Sequence, residues 1–195
     1  MMFENKLNHI DIQSLFVGIA ILLIAFLRVI PHVYNFSPVI ALAIFGAIHF
    51  KKQVHAYLTI LLSLIVSDII INNFLYDSKN SFLFFYEGFY WQYFSYFLII
   101  LISSNFRKNK IGIKNVTFLC LSSSLIFFAV SNLGFWISSG YYPYTIGGLS
   151  TAFIKAIPFY QGTLFGAFFY TPILFGGYYL LQKSNRNFQS RHLIY

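Results

Sequence analysis

Between its first two apolar segments the chain reads Leu27-Arg28-Val29-Ile30-Pro31-His32-Val33-Tyr34-Asn35-Phe36-Ser37-Pro38-Val39. An arginine, a histidine and an asparagine thus lie close to two prolines at the edge of strongly hydrophobic sequence. Polar and charged groups are costly at membrane depth unless they have partners or a functional role. We therefore expect the rest of the chain to supply partners for this stretch.

The composition indicates an integral membrane protein. Of the 195 residues, 58% are hydrophobic and 9% are charged, whereas about a quarter of residues are charged in soluble domains. Aromatic residues reach 22%, which suits lipid contact and interfacial belts. We exclude nucleic-acid binding despite the net charge of +8, because the basic residues lie in short blocks between apolar segments. The length accommodates a single membrane domain, residues 1–195.

The apolar pattern predicts an all-α integral membrane fold, a six-transmembrane-helix bundle. The predicted spans cover residues 15–30, 38–50, 54–75, 88–104, 116–136 and 161–181. The second is short for a full span and is predicted to be tilted or partly interfacial. Residues 137–160, rich in Gly, Tyr and Pro, are predicted to form a long connection. A cleaved signal peptide is the alternative for the first segment, but the preceding residues are barely basic and no small-x-small cleavage site follows.

The distribution of Lys and Arg predicts the orientation. Most of the 13 basic residues lie in the N-terminal lead, the second and fourth loops and the C-terminal tail, whereas Arg28, Lys79 and Lys155 lie on the other side. The positive-inside rule therefore predicts that both termini are cytoplasmic. The outer side then gathers the chemically varied residues, namely Arg28, His32, Asn35, Asp77, Glu87, Trp91, Trp136, Tyr141, Tyr142, Tyr144 and Thr145.

Arg28 and Asp68 are predicted to form an ion pair. Arg28 lies near the outer end of the first span, and Asp68 lies about two turns before the outer end of the third, so their depths are similar. An unpaired charge there costs several kcal/mol. Two interpretations stay open: a structural clasp between helices, or the floor of an outward-facing pocket that orients polar substrate groups.

Further candidate ligand contacts lie in the first and fifth loops. His32 and Asn35 belong to a loop stiffened by prolines; a hydrogen-bonded turn is the alternative. Asn132 and Trp136 share one face of the fifth span, being four residues apart, although the tryptophan can equally be an interfacial anchor. Tyr142 and Thr145 precede Gly147-Gly148 in a segment that could form a lid or ordinary interfacial structure.

The sequence lacks the patterns of common catalytic and metal sites. A lone His32 has no companions at metal-ligand spacing, so no metal and no cofactor are predicted. The small residues instead predict helix packing, since they let helices approach closely. They form two pairs at four-residue spacing, Ala43 with Ala47 and Gly162 with Gly166.

Several short motifs together carry a family resemblance. They are Arg28-Val29-Ile30-Pro31-His32, Asn35 to Gly46, Ser67-Asp68, Ser131 to Trp136, Tyr142-Pro143-Tyr144-Thr145 and Ala156-Ile157-Pro158-Phe159. In this order and spacing, the chain resembles an uncharacterised bacterial membrane family, DUF6580, over about residues 25 to 180. That family is similar to the substrate-binding S components of energy-coupling factor (ECF) vitamin transporters.

The resemblance implies a six-helix fold with a substrate pocket near the outer face of a bacterial cytoplasmic membrane. It also implies a partner, a transmembrane coupling subunit with ATPases. Cobalamin-type S components can use a cysteine near the pocket, but Cys120 is predicted toward the opposite face.

The leading hypothesis is a non-enzymatic subunit that captures a small vitamin-like molecule. Its predicted ligand contacts are Arg28, His32, Asn35, Asp68, Asn132, Trp136, Tyr142 and Thr145. The alternatives are a membrane enzyme that uses His32 and Asp68 as acid and base, and a structural envelope protein without a ligand.

Overall fold

The computed structural model describes residues 19, 23, 26–29, 35–50, 52–75, 82–107 and 111–192, the side chains of residues 184–192 excepted. Within these ranges the regular structure is helical, without strands. Residues 26–29 are helical, and five longer helices follow: α1 (Val39–His49), α2 (Gln53–Ile70), α3 (Phe89–Ser103), α4 (Ile113–Ser139) and α5 (Ile146–His192). A π-helical turn, Ile71–Leu75, extends α2, and a 3-10 turn, Ser104–Phe106, extends α3.

Three of the described helices are long and apolar enough to cross a membrane. They comprise Gln53–Leu75, Ile113–Ser139 and Ile146–Lys183. All three carry large apolar side chains exposed on the protein surface, for example Leu62, Leu125 and Phe165. The predicted all-α class is therefore confirmed for the described residues, with a membrane-like surface. The predicted first span lies mostly outside the described residues, and α1 and α3 have only 11 and 15 residues.

Helix α1 forms the centre of the packed core. It contacts each of the other four helices, and every residue from Val39 to Ile48 is buried. The structure thus differs from the partly interfacial helix that its length suggested. The reason is the uniformly apolar sequence, since a helix that is apolar on all sides is stable when surrounded by protein. Pro38 starts this helix as its N-cap, and Phe50 ends it in an extended conformation.

The small residues predicted to pack helices are all buried. Ala43 and Ala47 are fully enclosed within the core, and Gly162 and Gly166 lie on the buried side of α5. At Gly166 the approach is especially close, because a Cβ there would lie 2.9 Å from the backbone nitrogen of Ser37. The chain just before α1 therefore packs directly on the backbone of α5.

Helix α5 is longer than the predicted sixth span. It begins at Ile146 and continues through Pro158 and Pro172, so much of the predicted connection 137–160 is helical. Proline is disfavoured inside soluble helices by about 3 kcal/mol, but membrane helices tolerate it when their surroundings re-satisfy the freed backbone groups. The connection between α4 and α5 is reduced to residues 140–145.

Candidate functional site

A buried ion pair joins the first helical segment to α2. Arg28 Nη2 lies 2.8 Å from Asp68 Oδ1, so the predicted pair is confirmed. Arg28 Nη1 donates a second hydrogen bond to the hydroxyl of Ser67. Asp68 is 2% exposed. Because the pair is buried, each charge needs the other as its counter-charge.

The second carboxylate oxygen of Asp68 is also occupied. The Tyr93 hydroxyl, from α3, donates to Asp68 Oδ2 at 3.0 Å. Asp68 thus holds together the first segment, α2 and α3. With one oxygen facing a guanidinium and the other a phenol, this carboxylate is poorly suited to act as a general base, which must reach a substrate proton.

A series of back-bonded hydroxyls on α2 leads to this pair. The Oγ atoms of Thr59, Ser63 and Ser67 each donate to the carbonyl oxygen four residues earlier, at 2.6 to 2.7 Å. Because its proton is directed to the Ser63 carbonyl, the Ser67 hydroxyl has lone pairs available for Arg28. We call these residues, with Arg28, Asp68 and Tyr93, the clasp. It is an internally satisfied polar network, which makes the structural interpretation of Arg28 and Asp68 the better supported one.

A cavity of about 270 Å³ lies near the same end of α3. Its walls come from the connection before α3, the first turn of α3 and the last two turns of α4. The lining residues are Tyr86, Glu87 and Gly88 from the connection, Trp91 and Gln92 from α3, and Ser131, Phe135, Ser138 and Ser139 from α4. We call this space the Trp91 cavity.

A lining residue of the Trp91 cavity carries a polar atom that the described residues do not satisfy. Trp91 Nε1 is buried and has no hydrogen-bond partner among the described residues. A buried donor left unpaired costs about 1–3 kcal/mol, and nearly all such groups in folded proteins are paired. In contrast, the Tyr86 hydroxyl donates to Gln92 Oε1 at 2.5 Å. The cavity therefore has a fixed polar wall at Tyr86 and Gln92, and its lining residue Trp91 carries a buried donor without a partner among the described residues.

The indole of Trp91 is held against α4 by a glycine. A Cβ on Gly134 would lie 2.0 Å from Trp91 Cγ, which no side chain can accommodate without displacing the ring. Gly134 itself is buried. The absence of a side chain at this position is thus what lets α3 and α4 approach closely enough to form the cavity wall.

Tyr86 connects the electrostatics of the clasp to the Trp91 cavity. Burial raises the pKa of Tyr86 well above its ordinary value, the Asp68 carboxylate raises it further, and the Arg28 guanidinium partly opposes the effect. The phenol therefore stays protonated at neutral pH and remains a hydrogen-bond donor to Gln92. The charges of the clasp are close enough to affect a residue that lines the cavity.

Asn132 and Trp136 are not among the residues that line the cavity. Asn132 Nδ2 donates to the Phe128 carbonyl at 2.7 Å, within its own helix. Trp136 Nε1 donates to the Pro143 carbonyl at 3.0 Å and its ring packs on Tyr144. Ser131, Phe135 and Ser138 have the three-to-four-residue spacing of one helical face, and that face borders the cavity.

The connection between α4 and α5 is a tightly bonded turn. Thr145 Oγ1 accepts a hydrogen bond from the Gly148 amide at 3.1 Å, a typical helix N-cap. Gly148 packs so closely that a Cβ would lie 2.0 Å from the Pro143 carbonyl oxygen. The two glycines of the proposed lid belong to the first turn of α5, so the described structure does not provide the flexible hinge predicted there.

The other predicted ligand contacts also lie apart from the cavity lining. The ring of Tyr142 packs 6.3 Å from that of Phe135, one layer behind the cavity wall. Asn35 is exposed and has a left-handed backbone with φ of 59°, a conformation that asparagine tolerates well. His32 lies outside the described residues. Of the residues that line the cavity, Glu87 and Trp91 were predicted on the outer side, but without a ligand role.

The described residues offer no group of three His, Cys, Asp or Glu that could hold a metal ion. Cys120 is buried between α4 and α5, with its Sγ 3.5 Å from Thr171 Oγ1. It lies about three turns of α4 before the first lining residue of that helix, Ser131. Its thiol is therefore part of the helix packing rather than of the cavity.

Comparison with protein families matches residues 8–190 to a family of unknown function, DUF6580. The match covers most of the chain, which belongs to this family. Neither the curated proteins nor the solved structures contain a match.

Proposed function

We propose that this member of the DUF6580 family is a membrane protein that binds a small organic molecule in the Trp91 cavity. The observation that carries the proposal is the cavity itself, one of whose lining side chains, Trp91, has a buried Nε1 without a partner among the described residues. Ligand sites typically combine apolar and aromatic walls with a few polar groups that fix orientation. Tyr86, Trp91 and Phe135 supply such walls, and Gln92 and the serines supply such groups.

The size of the cavity favours a compact ligand. Its volume of about 270 Å³ is just below the range for small-molecule sites, roughly 300–1,000 Å³. This suits one ring system with short substituents rather than a large macrocycle. A vitamin-like molecule of modest size therefore fits the proposal better than cobalamin does, in line with the buried position of Cys120.

We further propose the membrane arrangement that the sequence predicts. The chain would cross a bacterial cytoplasmic membrane six times with both termini in the cytoplasm, and it would deliver its ligand with a coupling subunit and ATPases, as S components of ECF transporters do. The three span-length helices support a membrane location. The cavity lies at the C-terminal end of α4, whereas Arg107 and Lys114 lie next to its N-terminus, so charge asymmetry favours an outward-facing cavity.

The test is mass spectrometry of small molecules that copurify with the protein in detergent. Ser131→Phe would fill the cavity, and Ser122→Phe is a matched control on the same helix. Both serines are half-exposed, and both donate their hydroxyl proton to the carbonyl oxygen four residues earlier. We expect one organic compound to copurify with the native and Ser122→Phe proteins and to be lost from Ser131→Phe.

Equal retention of the compound by both serine variants would contradict a ligand site in this cavity. The orientation is tested separately with C-terminal fusions. A fluorescent protein is expected to mature at the C-terminus and alkaline phosphatase to stay inactive there. The reverse result would place the C-terminus outside the cytoplasm and contradict the proposed arrangement.

A further inference from the structure

The charge on the Trp91 cavity lining is negative. Glu87 is the one Asp, Glu, Lys, Arg or His among the described lining residues. Arg28 is engaged in the clasp with Asp68 and Ser67 and does not line the cavity. An anionic ligand would therefore meet a carboxylate and find no neutralising side chain in the described wall.

The hydroxyl groups of the lining add further acceptors. Ser131 Oγ donates its proton to the Phe127 carbonyl at 2.6 Å, and Ser138 Oγ donates to the Gly134 carbonyl at 2.5 Å. Because each hydroxyl carries a single proton, these serines offer only lone pairs to a ligand. Two hydroxyls and one carboxylate thus favour a ligand that is rich in hydrogen-bond donors.

The donors that face a ligand are fewer and neutral. They are the amide nitrogen of Gln92, whose oxygen already accepts from Tyr86, and the hydroxyl of Ser139, whose oxygen accepts from the Tyr141 amide. The N-terminus of α3 also reaches the cavity at Gly88, and a helix N-terminus carries about half a positive charge. Since the Glu87 side chain is a carboxylate, the balance of the site stays negative.

We infer that the ligand of the Trp91 cavity is a small organic cation, an amine or amidine on a compact apolar body with one hydrogen-bond acceptor. Aromatic rings in the wall support this charge, because Tyr86, Trp91 and Phe135 can contact a cation through their π faces. The inference rests on the proposed function, since it names the chemistry of that same site.

The test uses three probes of one shape and different charge: benzylamine, benzyl alcohol and benzoate. The chain has two tryptophans, Trp91 in the cavity wall and Trp136 in the last turn of α4, where it bonds to Pro143. Labelling with 5-fluorotryptophan gives one fluorine resonance for each, and Trp91→Phe identifies the first by its disappearance. The Trp136 resonance is an internal control for partitioning of the probes into detergent.

We expect benzylamine to shift the Trp91 resonance saturably and the Trp136 resonance little. Benzyl alcohol should bind roughly three- to tenfold more weakly and benzoate more weakly still, as expected for a half-exposed ion pair with cation–π support. Glu87→Gln keeps the size of the exposed side chain and removes its charge. It should abolish the preference for benzylamine over benzyl alcohol, measured as the ratio of the two dissociation constants in each protein.

Two other outcomes separate the two proposals. Saturable binding in which benzoate equals or exceeds benzylamine would overturn the cation inference and leave a ligand site in place. A preference for benzylamine that survives in Glu87→Gln would likewise overturn the cation inference and leave a ligand site in place. If no probe shifts the Trp91 resonance and no compound copurifies with the native protein, the proposed function itself fails.

Discussion

The clasp and the Trp91 cavity lie near the same end of α3 and differ in how completely their polar groups are paired. In the clasp, Arg28, Ser67, Asp68 and Tyr93 bond to one another and both carboxylate oxygens are occupied. In the cavity, Trp91 Nε1 is buried without a partner among the described residues. The charged residues that look most functional in the sequence are thus the ones that the fold itself satisfies, whereas a neutral indole is left unpaired among the described residues.

The largest effect is expected from Asp68→Ala. It leaves the Arg28 guanidinium buried without its counter-charge, which typically destabilises a protein by about 3–5 kcal/mol. Unfolding in mixed micelles, followed by circular dichroism, measures the loss. The double variant Arg28→Met with Asp68→Leu should recover most of it, since both charges are then absent. Unchanged stability with lost ligand binding would instead assign Asp68 to the binding site.

Tyr93→Phe should have a smaller effect on the same network. It removes one hydrogen bond to a carboxylate, a contribution of about 1.5–3 kcal/mol, and leaves the ion pair in place. Tyr90→Phe on the same helix is the control, because Tyr90 is exposed. Equal unfolding midpoints for the two variants would mean that the Tyr93 hydroxyl contributes little to the clasp.

Gly134→Ala tests the wall of the cavity. The new methyl group would overlap the Trp91 ring, and overpacking of this kind costs about 1–3 kcal/mol. The displaced indole should also lower the free energy of probe binding by more than it lowers the free energy of unfolding. Gly176→Ala on α5 is a matched control, since nothing lies within 4 Å of its Cβ position. Normal probe binding by Gly134→Ala would show that the Trp91 ring does not contribute to the ligand site.

The smallest effect is expected from Trp136→Phe. It removes one hydrogen bond to the Pro143 carbonyl, worth about 0.5–1.5 kcal/mol, from a turn that is also fixed by Thr145. Benzylamine binding, measured from the Trp91 resonance, should be unchanged. A loss of benzylamine binding would instead show that Trp136 contributes to the ligand site.

The sequence alone was sufficient to predict the ion pair of the clasp but not its other members or the cavity. A buried charge needs an opposite charge at similar depth, and Asp68 was the evident partner for Arg28, so the pair could be identified from spacing. On α4, by contrast, the four-residue spacing places Asn132 and Trp136 on one face, and it places Ser131 and Phe135 together in the same way. Both sets are regular helical faces, and nothing in the sequence says which one borders the start of α3.

The position of helix α1 is a second feature that could not be predicted from the sequence. Its 11 residues are too few for a full span, and length alone therefore suggested a tilted or interfacial helix. The structure surrounds it with the other four described helices. The signal in the sequence was the even distribution of apolar and small residues around the helix, which leaves no side suited to water.

The sequence by itself determined the helical membrane class and the pairing of Arg28 with Asp68, because hydrophobic length and the cost of an isolated charge are local properties. Only the tertiary structure decided which helix is central, that Trp91 packs on Gly134, and that its N–H has no partner among the described residues. The physical reason is that helical periodicity determines which side chains share a face, whereas the neighbour of that face depends on how all the helices pack together.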